Sequence, residues 1–205
     1  MGIIHKITQK TENPFLNLYD MDVENRMGER FHYYLASRAK TPSAMKLSAR
    51  DERPDGVEIY SIYGENRDRV VLIRQYRFPL DDFVYEFPAG LVEPGEDFRA
   101  AAIREMKEET GLTLTPIPVD AAFERPYFTS VGMTDECCAT VYGYAAGEVS
   151  RAGLENNEEI EVVLADRDEV RRILKEERVS IMCAYMLMHF LRDEKAPFDF
   201  LRESL

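Results

Sequence analysis

The sequence predicts an α/β (α+β) sandwich preceded by a small antiparallel β subdomain, and three observations carry that reading. Residues 1 to about 48 hold short aromatic-rich runs, Phe15 to Tyr19 and Phe31 to Leu35, separated by Gly28 and polar residues, the pattern of a few antiparallel strands. From Val57 onward, β-rich runs are interleaved with runs of helical periodicity, so strands with helices on both sides are expected. The length of 205 residues suits one substantial domain with a small accessory piece.

Residues 1–48 cannot bury much alone, so this subdomain is expected to pack on the rest of the chain or on a partner subunit. The polar run Ala49-Arg-Asp-Glu-Arg-Pro-Asp-Gly56 reads as a linker or turn. In the main domain, residues 57–205, Val57 to Tyr63 and Arg69 to Tyr76 read as strands, and a short segment, Phe83 to Phe87, leads into Pro88-Ala-Gly90. Residues 97–110 are helical by pattern, with Phe98, Ala102 and Met106 repeating at i+4 and Gly111 as a stop. Strands are expected again near 112–126 and 137–146, and at Val162-Val-Leu164 after the acidic stretch Glu155 to Glu161. Two helices, roughly 167–177 and 181–193, finish the chain, the second opened by Ser180 as N-cap.

Composition narrows the function classes. The 45% apolar and 31% charged content is that of an ordinary globular protein. No run of about eighteen apolar residues is present to span a bilayer. The start, Met1-Gly-Ile-Ile-His-Lys, lacks a secretory pattern, and Lys6 stands where a myristoylation motif needs Ser or Thr. Three cysteines, Cys137, Cys138 and Cys183, make neither a disulfide framework nor a zinc site, and Cys183 in its apolar run is expected to be buried. These features point to the cytoplasm, with no membrane partner. A net charge of −12 argues against nucleic acid, whose phosphates need a basic footprint, but leaves room for a small phosphate-bearing ligand. A divalent cation held by acidic residues reverses the sign of the local field.

The helix at 97–110 is where that point matters. Glu105, Glu108 and Glu109 stand at i, i+3 and i+4, so their carboxylates share one face. Like charges at that spacing destabilise an isolated helix, and acidic groups near its C-terminal end oppose the macrodipole. A solvated acidic face relieved by Arg104 and Lys107 is one explanation; a site for hard cations with oxygen ligands is the other.

The flanking residues decide between them. Gly90, five residues, Glu96, seven residues, then Arg104-Glu105-Met106-Lys107-Glu108-Glu109-Thr110-Gly111-Leu112 matches the Nudix box at all seven fixed positions. At roughly 7% background per position, chance gives such a match on the order of 10⁻⁸ per start site. The chain therefore resembles the Nudix hydrolases. The resemblance implies a Nudix α/β/α sandwich with a mixed sheet, and hydrolysis of a diphosphate bond with Mg²⁺, for which Mn²⁺ may substitute. It implies Glu105 and Glu109 as the main metal ligands, with Glu108 assisting and the Ala89 carbonyl as a further ligand. Glu96 and Arg104 look like structural members of the box, Arg104 orienting the carboxylates, and Gly111 is expected at positive φ. Divalent ions at such a site lower the pKa of the attacking water and clamp the phosphoryl oxygens.

Features outside the box resemble the ADP-ribose pyrophosphatase branch. Val71-Leu-Ile-Arg-Gln-Tyr-Arg77 looks like its strand ending in Gln-aromatic-Arg, Glu86-Phe-Pro-Ala-Gly90 like its entry into the box, and Pro197-Phe-Asp-Phe200 like its C-terminal segment. In that branch a general base comes from a loop beyond the box. Glu158-Glu-Ile-Glu161-Val162 resembles the branch's Glu-Phe-Val-Glu-Val pattern and nominates Glu158, with Glu155 next and Glu159 also open. Arg77 is expected to contact the diphosphate as a forked donor, or to serve as a surface ion-pair residue. Glu86 is expected to bind a ribose hydroxyl, order a metal water or pair with an arginine. Tyr33 is the candidate for stacking on the base, with plain packing as its alternative, and Arg38 is a second phosphate contact. The resemblance implies a homodimer whose N-terminal strands take part. ADP-ribose, cleaved to AMP and ribose 5-phosphate, is the leading substrate. Two departures leave GDP-mannose or another nucleoside diphosphate sugar as the alternative: the chain has no tryptophan, and Val131 replaces a proline in Thr129-Ser-Val-Gly-Met-Thr-Asp-Glu136. A Nudix module that binds ADP-ribose or a nucleotide without turnover would be free to lose the catalytic glutamates, and here all are present.

Overall fold

The computed structural model describes residues 1–155, 158–192 and 196–201, so residue 193 of the expected last helix and part of the acidic stretch, Asn156 and Asn157, lie outside the described residues. The chain divides into two compact units, Met1–Asp55 with Pro126–Cys138, and Gly56–Arg125 with Ala139–Leu205.

The first unit is built on an antiparallel sheet in the order β1 (Ile3–Gln9), β2 (Asn17–Glu24), β3 (Arg30–Ser37). Alternation along these strands separates two faces. Tyr19, Met21 and Leu35 face Met45 in a small core. On the other face, Asp20 meets His32 at 2.7 Å and Asp22 pairs with Arg30. A short helix α1 (Lys46–Ala49) follows, ending at Arg50 in a left-handed conformation. Residues 126–138 belong here through backbone pairing: Ala36 N donates to Met133 O at 2.8 Å, and β9 (Tyr127–Phe128) pairs with Cys138 and Cys137. The sequence hinted at β2 and β3 but not at β1, and β2 begins after Phe15 and Leu16, which are exposed.

The second unit is a three-layer α/β/α sandwich. Its sheet runs β11 (Ile160–Ala165), β5 (Arg69–Arg77), β4 (Gly56–Tyr63), β10 (Cys137–Ala146), β8 (Thr113–Pro116); β6 (Asp82–Glu86) pairs with β5 and β7 (Ala89–Leu91) with β4. Neighbouring residues on a strand point to opposite layers. Val57, Ile59, Val71 and Val141 pack on Ala101, Ala102 and Met106 of α2 (Phe98–Thr110). Tyr60, Ile62, Leu72 and Tyr142 pack on Val170 and Ile173 of α4 (Arg167–Glu176), and on Cys183, Leu187 and Phe190 of α5 (Ile181–Arg192). Phe198 and Leu201 near the C-terminus join this second cluster.

One sequence expectation is corrected. The strand expected over 112–126 stops at Pro116, and Ala121–Glu124 form a helical turn, α3, capped by the Asp120 side chain accepting from Ala122 N. Ile117 N still donates to Tyr142 O at 2.9 Å, and Pro118, with no N–H to give, ends the ladder after it.

One carboxyl interrupts the apolar run of β4. Glu58 is largely buried, and that burial, with the Glu86 carboxylate nearby, pushes it up to about 7. In the unfolded chain a glutamate titrates near ~4.3. Between these values the native state holds a proton that the unfolded chain has lost, so the stability contributed by the neutral acid is full below pH ~4.3 and is lost as pH rises through 7. Glu58→Gln, which cannot ionise, is expected to flatten this fall. In urea titrations at pH 5 and pH 8 with a chelator present, the wild type should lose on the order of 1–3 kcal/mol more than the variant. Equal losses in the two proteins would refute it.

Candidate active site

The carboxylate cluster is assembled by a strand, a loop and a helix. β7 delivers Ala89 and Gly90; the loop then turns at Gly95, and Asp97 caps α2 by accepting from Arg99 N and Ala100 N. The helix ends where expected, at Gly111 with φ 77°, a left-handed conformation that glycine adopts without a Cβ penalty. Met106 and Ala102 on one side of α2 are buried in the core. The glutamates follow on the adjacent stripe.

Arg104 is the organiser. Its Nε and Nη2 donate to the two oxygens of Glu96 at 3.1 and 3.0 Å, its Nη1 to Glu105 at 2.7 Å and Glu108 at 3.0 Å, and its Nη2 also to the Leu91 carbonyl at 3.0 Å. These contacts use all five guanidinium N–H groups. Glu96 is held below the usual carboxylate range, chiefly by this hydrogen bonding from Arg104. Gly90 makes the room. A Cβ there would stand 1.9 Å from Glu105 Cδ, so only glycine lets that carboxylate lie against the β7 backbone.

Glu109 is the most enclosed member, with 3% of its surface exposed, and accepts from Ala89 N at 3.0 Å. Burial raises its pKa well above the usual value; the Ala89 N–H opposes the rise, Glu105 and Glu158 add to it, and Arg77 opposes it again. Burial likewise raises Glu105, against the pull of Arg104 and with the repulsion of Glu108 and Glu158. These mutual effects bring Arg77, Glu105, Glu109 and Glu158 into one neighbourhood. Glu86 joins it through Arg77, whose Nε donates to Glu86 Oε2 at 2.7 Å. Of the alternatives open for Glu86, the structure shows the pairing with an arginine.

The donor set suits a hard divalent cation. Carboxylates and a backbone carbonyl are the oxygen ligands such ions take. A desolvated carboxylate beside other carboxylates needs added positive charge to stay ionised. Glu105, Glu108 and Glu109, with the Ala89 carbonyl, would hold the ion. As turned here, no three His, Cys, Asp or Glu side chains among the described residues converge on one point. Arg104 draws Glu105 and Glu108 aside, and the Ala89 N–H holds Glu109.

The loop candidates differ in placement. Glu158 Oε2 accepts from Glu155 N at 2.9 Å, and Glu158 N donates to Glu155 O at 3.1 Å. The Glu159 carbonyl accepts from Tyr76 N at 3.1 Å, at the edge of the β11–β5 pairing. Glu158 adds to the field at both Glu105 and Glu109. Tyr33 and Arg38 lie on β3 and just beyond it in the first unit. There the Tyr33 hydroxyl donates to Gly132 O at 2.9 Å, and Arg38 pairs with Glu136 at 2.8 Å. Sequence reasoning passed over Glu58, although a lone charge inside Val57-Glu58-Ile59-Tyr60 was a visible signal.

Comparison with known proteins agrees with this geometry. The chain matches the family described as NUDIX domain over residues 52–185. It is 32% identical to the methanol dehydrogenase activator of Bacillus methanolicus, over 70% of this chain and 75% of that protein. It is 29% identical to the ADP-ribose pyrophosphatase of Bacillus subtilis, over 65% of this chain and 71% of that protein. A crystal structure of an ADP compounds hydrolase superposes with a TM-score of 0.65 at 18% identity, covering 94% of this chain and 92% of the other, which shows the shared fold. A glutamate stripe, with Glu109 buried, on the helix of a complete Nudix box, in an α/β/α sandwich, thus places the chain in the Nudix family, as a pyrophosphohydrolase of the ADP-ribose pyrophosphatase-like branch.

Proposed function

We propose that the protein hydrolyses the diphosphate bond of ADP-ribose in the presence of Mg²⁺, releasing AMP and ribose 5-phosphate. The observation that carries this reading is Glu109: a carboxylate buried at 3% exposure, facing Glu105 and Glu158. Burial of that kind is costly for folding alone and is the expected arrangement where positive charge is to be bound. The ADP-ribose pyrophosphatase among the relatives supports the choice of substrate.

When bound, Mg²⁺ supplies charge relief on the phosphoryl oxygens and lowers the pKa of water. The chain's own residues do the rest. Glu105, Glu108 and Glu109, with the Ala89 carbonyl, fix the position of that charge. Arg104 keeps Glu105 and Glu108 beside the helix end, from which they would turn to the ion. Arg77 gives a forked donor for the diphosphate, and Glu86 orients it. Glu158 is the general base, taking the proton of the water whose oxygen bonds to phosphorus as the bridging P–O bond breaks. Tyr33 and Arg38 remain the sequence-derived choices for base stacking and a further phosphate contact, on chemistry alone.

Turnover of a panel of ADP-ribose, GDP-mannose and other nucleoside diphosphate sugars with Mg²⁺, with products identified, tests the reading. ADP-ribose should have the highest kcat/KM and give AMP. Preference for GDP-mannose would keep the chemistry and change the substrate. Glu109→Gln and Glu158→Gln should each fold normally and lose at least about 100-fold in kcat. Wild-type turnover in Glu109→Gln would remove the metal-ligand assignment.

The homodimer is part of the proposal. The first unit leaves Ile3, Ile4, Phe15 and Phe31 exposed, apolar side chains that a second copy of the chain would cover. Sedimentation at micromolar concentration should report twice the mass of one chain; a monomer would end this claim.

A further inference from the structure

The general base proposed above sits on a loop, and loops do not hold a proton acceptor in place unless something pins them. On its C-terminal side Glu158 is pinned by strand pairing: Ile160 lies opposite Gln75, and Tyr76 N donates to Glu159 O. On its N-terminal side the chain returns to the catalytic helix. Ser150 N donates to Thr110 O at 2.9 Å, and three residues later Gly153 lies flat against the backbone of Glu108. A Cβ on Gly153 would stand 2.7 Å from Glu108 O, 2.9 Å from its Cα and 3.2 Å from its C. Its neighbours there are helix backbone, which cannot swing aside as a side-chain tip can. Gly153 is not among the glycines with positive φ, so conformational freedom does not explain it. Close approach does.

We propose that Gly153 is a positioning residue for the reaction: by allowing the 150–155 segment to dock on the backbone of Glu108, it sets where Glu158 stands relative to Glu105 and Glu109. The transmission is short. From Gly153 the chain runs through Leu154 to Glu155, whose N–H and carbonyl both bond to Glu158. This inference rests on Glu158 being the base, and the experiment separates the two.

Gly153→Ala should fold with an unfolding midpoint near the wild type, yet lose about 100-fold in kcat, the cost of a base misplaced by roughly 1 Å. KM and the Mg²⁺ concentration for half-maximal rate should stay within about twofold, because Glu105, Glu108 and Glu109 remain on an intact helix. In a Glu158→Gln background the alanine should cost nothing more, since both changes remove the same contribution. A loss that persists in that background, or a raised Mg²⁺ requirement, would show the glycine acting through Glu108 and overturn the proposal. If Glu158→Gln alone turns over normally, the base assignment falls and this inference with it. If Glu158→Gln is impaired and Gly153→Ala is not, only the glycine's role falls. Hydrogen exchange on the wild type gives a readout without activity. The Ser150 amide should be protected like the last turn of α2, and free exchange there would refute docking even if Gly153→Ala fails to fold.

Discussion

The structure depends on keeping negative charge where a protein interior resists it. Glu109 and Glu105 are both pushed towards their neutral forms by burial, and they repel each other. Two features make the arrangement tolerable before any ligand arrives. Arg104 spends every guanidinium N–H on Glu96, Glu105, Glu108 and the Leu91 carbonyl. Gly90 removes the one Cβ that would collide with Glu105. Neither feature would help if the helix itself could shift, and there the apolar stripe matters. Ala101, Ala102 and Met106 are fully buried against β4, β5 and β10, so the helix axis is fixed by packing while its polar stripe carries the strain.

The same physics explains which parts of the molecule the sequence revealed. The helix from Phe98 to Thr110, its glycine stop and the glutamate stripe are local: spacing within fourteen residues determines them, and the structure reproduces them nearly to the residue. The buried thiol of Cys183 and the arginine-organised carboxylates were equally readable. β7, only three residues long, has no periodicity of its own and exists because Val57 and Glu58 lie opposite Gly90 and Ala89. β1 carries His5 and Lys6 amid its isoleucines and is defined by its pairing with β2. Residues 126–138 are drawn to the N-terminal strands by backbone bonds about a hundred residues apart in sequence, which no window of local pattern can show.

Functional residues divide along the same line. The box is one contiguous strand, loop and helix, so its members could be named from a local motif once its resemblance to the Nudix box was seen. The resemblance nominated Glu158, but where Glu155, Glu158 and Glu159 stand is decided by the docking of one loop on α2 at one end and on β5 at the other. Gly153 carries no signal in the sequence beyond being a glycine in a polar loop. Its meaning comes from a backbone 45 positions earlier, at Glu108.

That division also explains why reaction class and substrate are legible to different degrees. Bond cleavage needs charge at one point, and a single helix with a preceding strand supplies it. Substrate choice needs groups spread over the length of a nucleoside diphosphate, and those come from elements distant in sequence. Arg77 illustrates the consequence. Its side chain is half exposed, bonded to Glu86 at 2.7 Å, and near enough to Glu109 to oppose the rise in that carboxyl's pKa. In the proposed reaction a diphosphate would meet a guanidinium already bonded to Glu86 and within the field of Glu109. It would compete with Glu86 for the fork, and would gain more from doing so with a cation at Glu109, because the remaining field on Arg77 would then be weaker. The proposed roles of Arg77 and Glu109 would thus link affinity for substrate to affinity for metal through one arginine that the sequence places well outside the box.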